Sequence, residues 1–128
     1  TDAAFAAELA IREIETLLLG ADSVLADGRV VNKVGTRGAA LAAANEAIDV
    51  FVVAASDKIS PETTYDREER DRGALYEGDA ALSVANPTFD VTPPAAIDAV
   101  VTERGPLDAD ETEAIAAEHR ALREWDLG

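Results

Sequence analysis

Three places in the first half of the chain carry residues able to do proton and phosphate chemistry: Asp22, the pair Asn32-Lys33, and Lys58. A carboxylate can take up and return a proton, and ammonium groups can hold phosphate oxygens. Lys33 and Lys58 are the only lysines in the sequence. Where lysine is this scarce, the survivors point to a task beyond surface solvation, the plain alternative being two solvated side chains. A fourth place is Gly35-Thr36, which opens an Ala- and Leu-rich run. The unpaired amides of a first helical turn, with the positive end of the helix dipole, favour an anion.

The elements that position these residues follow from pattern. Thr16 to Leu19 is a short apolar run ended by Gly20, as expected of a strand buried on both faces in a parallel sheet. Asp22 stands just beyond it, where ligands gather in open α/β sheets, although a turn-capping role fits the same position. Ser23 to Ala26 and Arg29 to Val31 flank Asp27-Gly28, a tight hairpin signal. Arg37 to Ala47 then reads as a helix with Thr36 as N-cap. A phosphate held by Lys33 and the amides near Gly35 to Gly38, with Asp22 facing the reacting carbons, is the resulting expectation. Asp49 to Ala54, with Phe51, Val52 and Val53, is a second strand and completes a βαβ unit. Asp57 and Lys58 follow it on the rim that holds Asp22, so Lys58 either reaches a second phosphate or pairs with Asp57 or Asp22.

Three blocks carry a resemblance: GADSVLADGRVVNKVGT from Gly20, AASDKIS at 54–60 and NPTFDVTPP at 86–94. Together they resemble the carboxyl-terminal half of one family. It contains the regulatory α, β and δ subunits of translation initiation factor 2B, ribose-1,5-bisphosphate isomerase and methylthioribose-1-phosphate isomerase. The resemblance implies a single Rossmann-like α/β domain over residues 1–128, three-layered with a mostly parallel sheet, in a cytoplasmic protein that works as a homodimer or higher oligomer without a cofactor. It also implies Asp22 as catalytic residue, and Asn32, Lys33, Gly35, Thr36 and Lys58 as contacts for a phosphorylated sugar or nucleotide. Regulatory subunits of the family replace some of these residues, often the Asp, so the retained set leans towards the isomerases. On the regulatory reading the partner would be initiation factor 2. The isomerases pair their Asp with an upstream cysteine and an R-G-A phosphate loop. Neither is present, so the chain is expected to be a carboxyl-terminal fragment of a longer parent, incomplete as a catalyst.

Composition narrows the partners. The chain of 128 residues is 48% hydrophobic, enough for one compact domain. Its 11 basic and 26 acidic side chains give a formal charge of −15, which repels nucleic acid. With lysine scarce, the acid excess reads as the mark of a high-salt cytoplasm, where screening tolerates self-repulsion; with the resemblance, it implies a halophilic archaeal source. No apolar run approaches the roughly 18–20 residues of a membrane span. The absence of cysteine excludes a disulfide framework, and His119 alone cannot make a zinc site, so it reads as a surface or packing residue.

In the remainder, Asp2 to Ile14 has helical spacing, and residues 55–80 read as a surface loop anchored by Tyr65 and Tyr76. Ala80 to Ala85 is apolar and ends at a turn. Phe89 to Thr92 reads as extended, with Thr92 capping a helix from Ala95 to Ala99 behind Pro93. Asp90 there either orders the pocket or serves a turn. Val100 to Thr102 is a short strand or extended link, and the resemblance ends at Gly105-Pro106. Asp108 to Asp126 is a helix capped by Asp108 or Asp110, with Ile115, Leu122 and Trp125 on its apolar face.

Overall fold

The computed structural model describes residues 1–126. After a 3-10 turn come α1 (Phe5–Ile11), β1 (Thr16–Gly20), β2 (Ser23–Val24), β3 (Val30–Lys33), α2 (Thr36–Asn45) and β4 (Asp49–Val53). An irregular stretch then leads to β5 (Phe89–Thr92), β6 (Ala99–Thr102), β7 (Gly105–Leu107) and α3 (Ala109–Asp126). The main sheet runs β1-β4-β6-β7, with β1, β4 and β6 parallel and β7 antiparallel. A second, antiparallel sheet runs β2-β3-β5.

Alternation sets the core. Leu17 pairs with Val50, Leu19 with Val52, and Val52 with Val100, so these side chains share one face of the main sheet. At one end of that face pack Leu9 of α1 and Ala40 and Ala43 of α2. At the other end pack Val24, Val30, Ile59 and, from α3, Ile115 and Ala116. The small alanines let α2 lie close to the strands. The opposite face is open at Leu18, 65% exposed, and Val53, 51% exposed. This corrects the expectation that the Thr16 run is buried on both faces: β1 is an edge strand with only its inward residues covered.

The hairpin forms where Asp27-Gly28 stands. Gly28 has φ +84° and a Cβ there would lie 3.3 Å from Pro94, so both conformation and space call for glycine. The structure also pairs β3 with β5, which puts Asn32 opposite Asp90 and Lys33 opposite Phe89. One local expectation is corrected, and two segments that the sequence left open are defined. Thr92 ends β5 instead of capping a helix, and residues 94–96 make only a 3-10 turn before β6. Gly105-Pro106 opens a strand, because the turn before it folds β7 back on β6. Residues 80–85 belong to no strand, and all but the half-buried Val84 are exposed. At α3, Asp108 accepts the Glu111 amide at 2.8 Å while Glu111 accepts the Asp108 amide at 2.9 Å, a reciprocal cap.

One buried polar atom has no partner among the described residues: the hydroxyl of Thr92, fully enclosed opposite Val30. Valine keeps its shape and removes the stranded hydroxyl. Thr92→Val should therefore raise the unfolding free energy by about 1 kcal/mol. Urea titration of the two proteins measures it, and a loss of stability would show that the hydroxyl is satisfied in solution.

Candidate ligand-binding site

The parallel strands β1 and β4 end at Gly20 and Val53, and the segments that follow them meet. Asp22 and Ser23 leave β1; Asp57 and Lys58 lie on a 3-10 turn, Ser56–Lys58, after β4. Together with His119, Leu122 and Arg123 of α3 they line an open cleft of about 500 Å³. The Asp22 amide donates to the Val31 carbonyl at 2.9 Å, which fixes the backbone while the exposed carboxylate stays at the cleft. Among the described residues all five ion pairs use arginine, so neither lysine is held by a carboxylate. Lys58 is therefore not in the pair with Asp57 or Asp22 that was its structural alternative.

The turn bearing Lys58 is itself held. Both the amide and the hydroxyl of Ser56 donate to the Glu103 carboxylate, the amide at 2.9 Å. These bonds favour the ionised form and hold the Glu103 pKa below its ordinary value. A lowered folded-state pKa stabilises the fold above the unfolded value, and that contribution disappears as pH falls through the folded one. Relative to Glu103→Gln, the native protein should thus be the more stable near neutral pH and lose that margin below about pH 4.5. Thermal unfolding from pH 7 to pH 3 checks this; a margin independent of pH would sink it.

The start of α2 differs from expectation. Its N-cap is Gly35, at φ +105°, and Thr36 lies in the first turn. The amides of Gly35 and Arg37 donate to the Asp90 carboxylate at 2.8 and 3.0 Å. An anion does bind this helix start, but it is the protein's own. The Thr36 hydroxyl donates to the Lys33 carbonyl at 2.7 Å and accepts from the Asn32 amide at 3.0 Å, which holds the β3–α2 turn. Gly35 lines a separate, more apolar cavity beside Phe5. Of the six residues picked from sequence, then, Asp22 and Lys58 share the cleft, Gly35 lines another, and Asn32, Lys33 and Thr36 line neither.

Sequence reasoning missed His119 and Arg123. His119 lies four residues after Ile115 and three before Leu122, and that helical spacing was the available signal; the face expected to be apolar is buried only at Ile115, since Leu122 is 60% and Trp125 80% exposed.

A mostly parallel sheet with a polar cleft outside the carboxyl ends of its strands defines a Rossmann-like α/β domain. The model of the Initiation factor 2 subunit family matches residues 1–109, and the chain belongs to that family. It is 41% identical over 109 residues to ribose 1,5-bisphosphate isomerase of Haloferax volcanii, covering 78% of this chain and 34% of the relative. It is likewise 41% identical over 108 residues to methylthioribose-1-phosphate isomerase of Gemmatimonas aurantiaca, covering 81% of this chain and 31% of the relative. The chain thus spans about a third of these relatives. Among solved structures, 5-methylthioribose 1-phosphate isomerase from Pyrococcus horikoshii superposes with a TM-score of 0.76 at 25% identity, over 94% of this chain and 36% of that one. The delta subunit of translation initiation factor eIF-2B from A. fulgidus gives a TM-score of 0.76 at 25% identity, over 91% and 38%. No helix among the described residues is long and apolar enough to cross a membrane.

Proposed function

We propose that this chain is the carboxyl-terminal domain of a longer cytoplasmic protein that isomerises a phosphorylated aldose, of the ribose 1,5-bisphosphate type, to its 2-keto isomer. Asp22 is the general acid/base that moves a proton between the first two sugar carbons and their oxygens, working with groups outside this chain. Lys58 holds phosphate in the cleft that it shares with Asp22. The observation that carries this reading is the convergence of Asp22 and Lys58, 36 positions apart in sequence, on one cleft at the carboxyl ends of β1 and β4. The test is turnover of ribose 1,5-bisphosphate by the longer protein, with Asp22→Asn as the decisive variant. No turnover of ribose 1,5-bisphosphate or methylthioribose 1-phosphate would sink it.

The likeness to the delta subunit of eIF-2B supports a second reading, a non-catalytic regulatory module working as a dimer or higher oligomer and contacting initiation factor 2. Under that reading the same cleft senses a ligand. Binding to initiation factor 2 without turnover would select it.

A further inference from the structure

We infer that the phosphate of such a ligand seats against α3, held by Arg123, the Nε2 of His119 and Lys58, while Asp22 across the cleft receives the sugar hydroxyls. This assignment rests on the sugar-phosphate reading above and gives the ligand a direction within the site.

Residues 58–62 form the floor between two walls. On one side the Ser60 amide donates to the Val24 carbonyl at 2.7 Å, and Ile59 bridges to Val24 in parallel. On the other side α3 is fastened by three side chains: His119 Nδ1 lies 2.7 Å from the Ile59 carbonyl, Arg120 donates to the Pro61 carbonyl at 2.9 Å, and Arg123 pairs with Glu62 at 2.5 Å. The cleft is lined by Asp22 from the β1–β2 corner, by Asp57 and Lys58 from the turn, and by His119 and Arg123 from the helix, Arg123 being paired with Glu62. A cleft that offers both carboxylates and cations suits a ligand that carries both hydroxyls and a phosphate, since carboxylates only accept and guanidinium only donates.

The chemistry of the imidazole follows from its partner. A carbonyl only accepts, so Nδ1 carries the hydrogen and Nε2 is the nitrogen without a described partner. A phosphate at Nε2 favours the doubly protonated ring, which then donates at both ends. Arg123 uses one donor on Glu62 and keeps the rest of its fork for oxygens of the ligand. The rival seat, the amides that open α2, is already filled by Asp90.

The sole histidine makes the test direct. In the 15N-labelled 128-residue chain, one pair of imidazole nitrogens is followed while inorganic phosphate is added at constant ionic strength, with chloride as control. The charged groups that share the cleft with that ring are Asp22, Asp57, Lys58 and Arg123, the last paired with Glu62, and Glu118 and Arg120 flank it on α3. The expected result is a saturable Nε2 shift on adding phosphate that chloride does not produce. Arg123→Gln and Lys58→Gln should each weaken phosphate by about 10-fold, and His119→Gln by a similar amount. In the longer protein, Arg123→Gln should raise KM for ribose 1,5-bisphosphate more than it lowers kcat. Saturable phosphate binding that Arg123→Gln leaves unchanged would overturn the assignment and leave the isomerase reading intact. Phosphate that shifts the His119 Nε2 as expected in a protein with no turnover would do the reverse. No saturable binding at all overturns the assignment, and because Arg123 is exposed, its variant remains informative if His119→Gln fails to fold.

Discussion

Replacing Asp22 with asparagine should lower kcat for ribose 1,5-bisphosphate isomerisation in the longer protein by about 10²–10⁴-fold, with almost no change in the unfolding midpoint. The two halves of this expectation come from different features of the residue. Its carboxylate is exposed and makes no hydrogen bond among the described residues, while its amide is held by Val31. Asparagine keeps that amide, the size and the polarity, so the fold loses nothing. It cannot give or take a proton near neutral pH, so only the chemistry suffers. Steady-state kinetics beside thermal unfolding separates the outcomes: an unchanged kcat removes Asp22 from the mechanism, and a fall in stability makes it a structural residue.

The second large effect concerns Ile59, the residue that joins core to cleft. It is 1% exposed and packs in the cluster with Val24, Val52, Val100 and Ile115. Truncation to alanine removes three carbons from a closed environment and should cost about 2–5 kcal/mol. Leu18→Ala removes the same number from a side chain that is 65% exposed, and should stay within about 0.5 kcal/mol. Ile59 also sits between Lys58 and Ser60, and its carbonyl meets His119. Its truncation should therefore weaken phosphate binding under conditions where the protein is still folded. Urea unfolding of both variants measures the contrast. A cost below about 1 kcal/mol for Ile59→Ala would mean that the cluster collapses around the gap and does not fix the floor.

Where spacing and chemistry agree, the sequence was a good guide. The apolar runs at Thr16 and Asp49, with Asp27-Gly28 between them, sufficed for the parallel pair and the hairpin, because period and turn residues are local signals. The rim position of Asp22 and Lys58 followed from the parallel sheet alone. What failed depended on partners distant in sequence. Thr36 looks like an N-cap until Asp90, more than 50 residues on, takes the amides it would have served. Thr92 looks like a cap until β3 draws it into a ladder. His119 looks idle in one dimension because the carbonyl that orients it belongs to Ile59, 60 residues earlier.

Strand β1 has β4 for a neighbour on one side and no described strand on the other. Its outer row of amides and carbonyls can be read by any extended peptide, whatever its side chains, because backbone recognition ignores sequence. Two copies meeting rim to rim would stitch together there unless something keeps them apart. The formal charge of −15 does that in dilute buffer, acting as a colloidal cushion. Salt thins this cushion, so the ionic strength that relaxes strain within one molecule also brings its neighbours within reach.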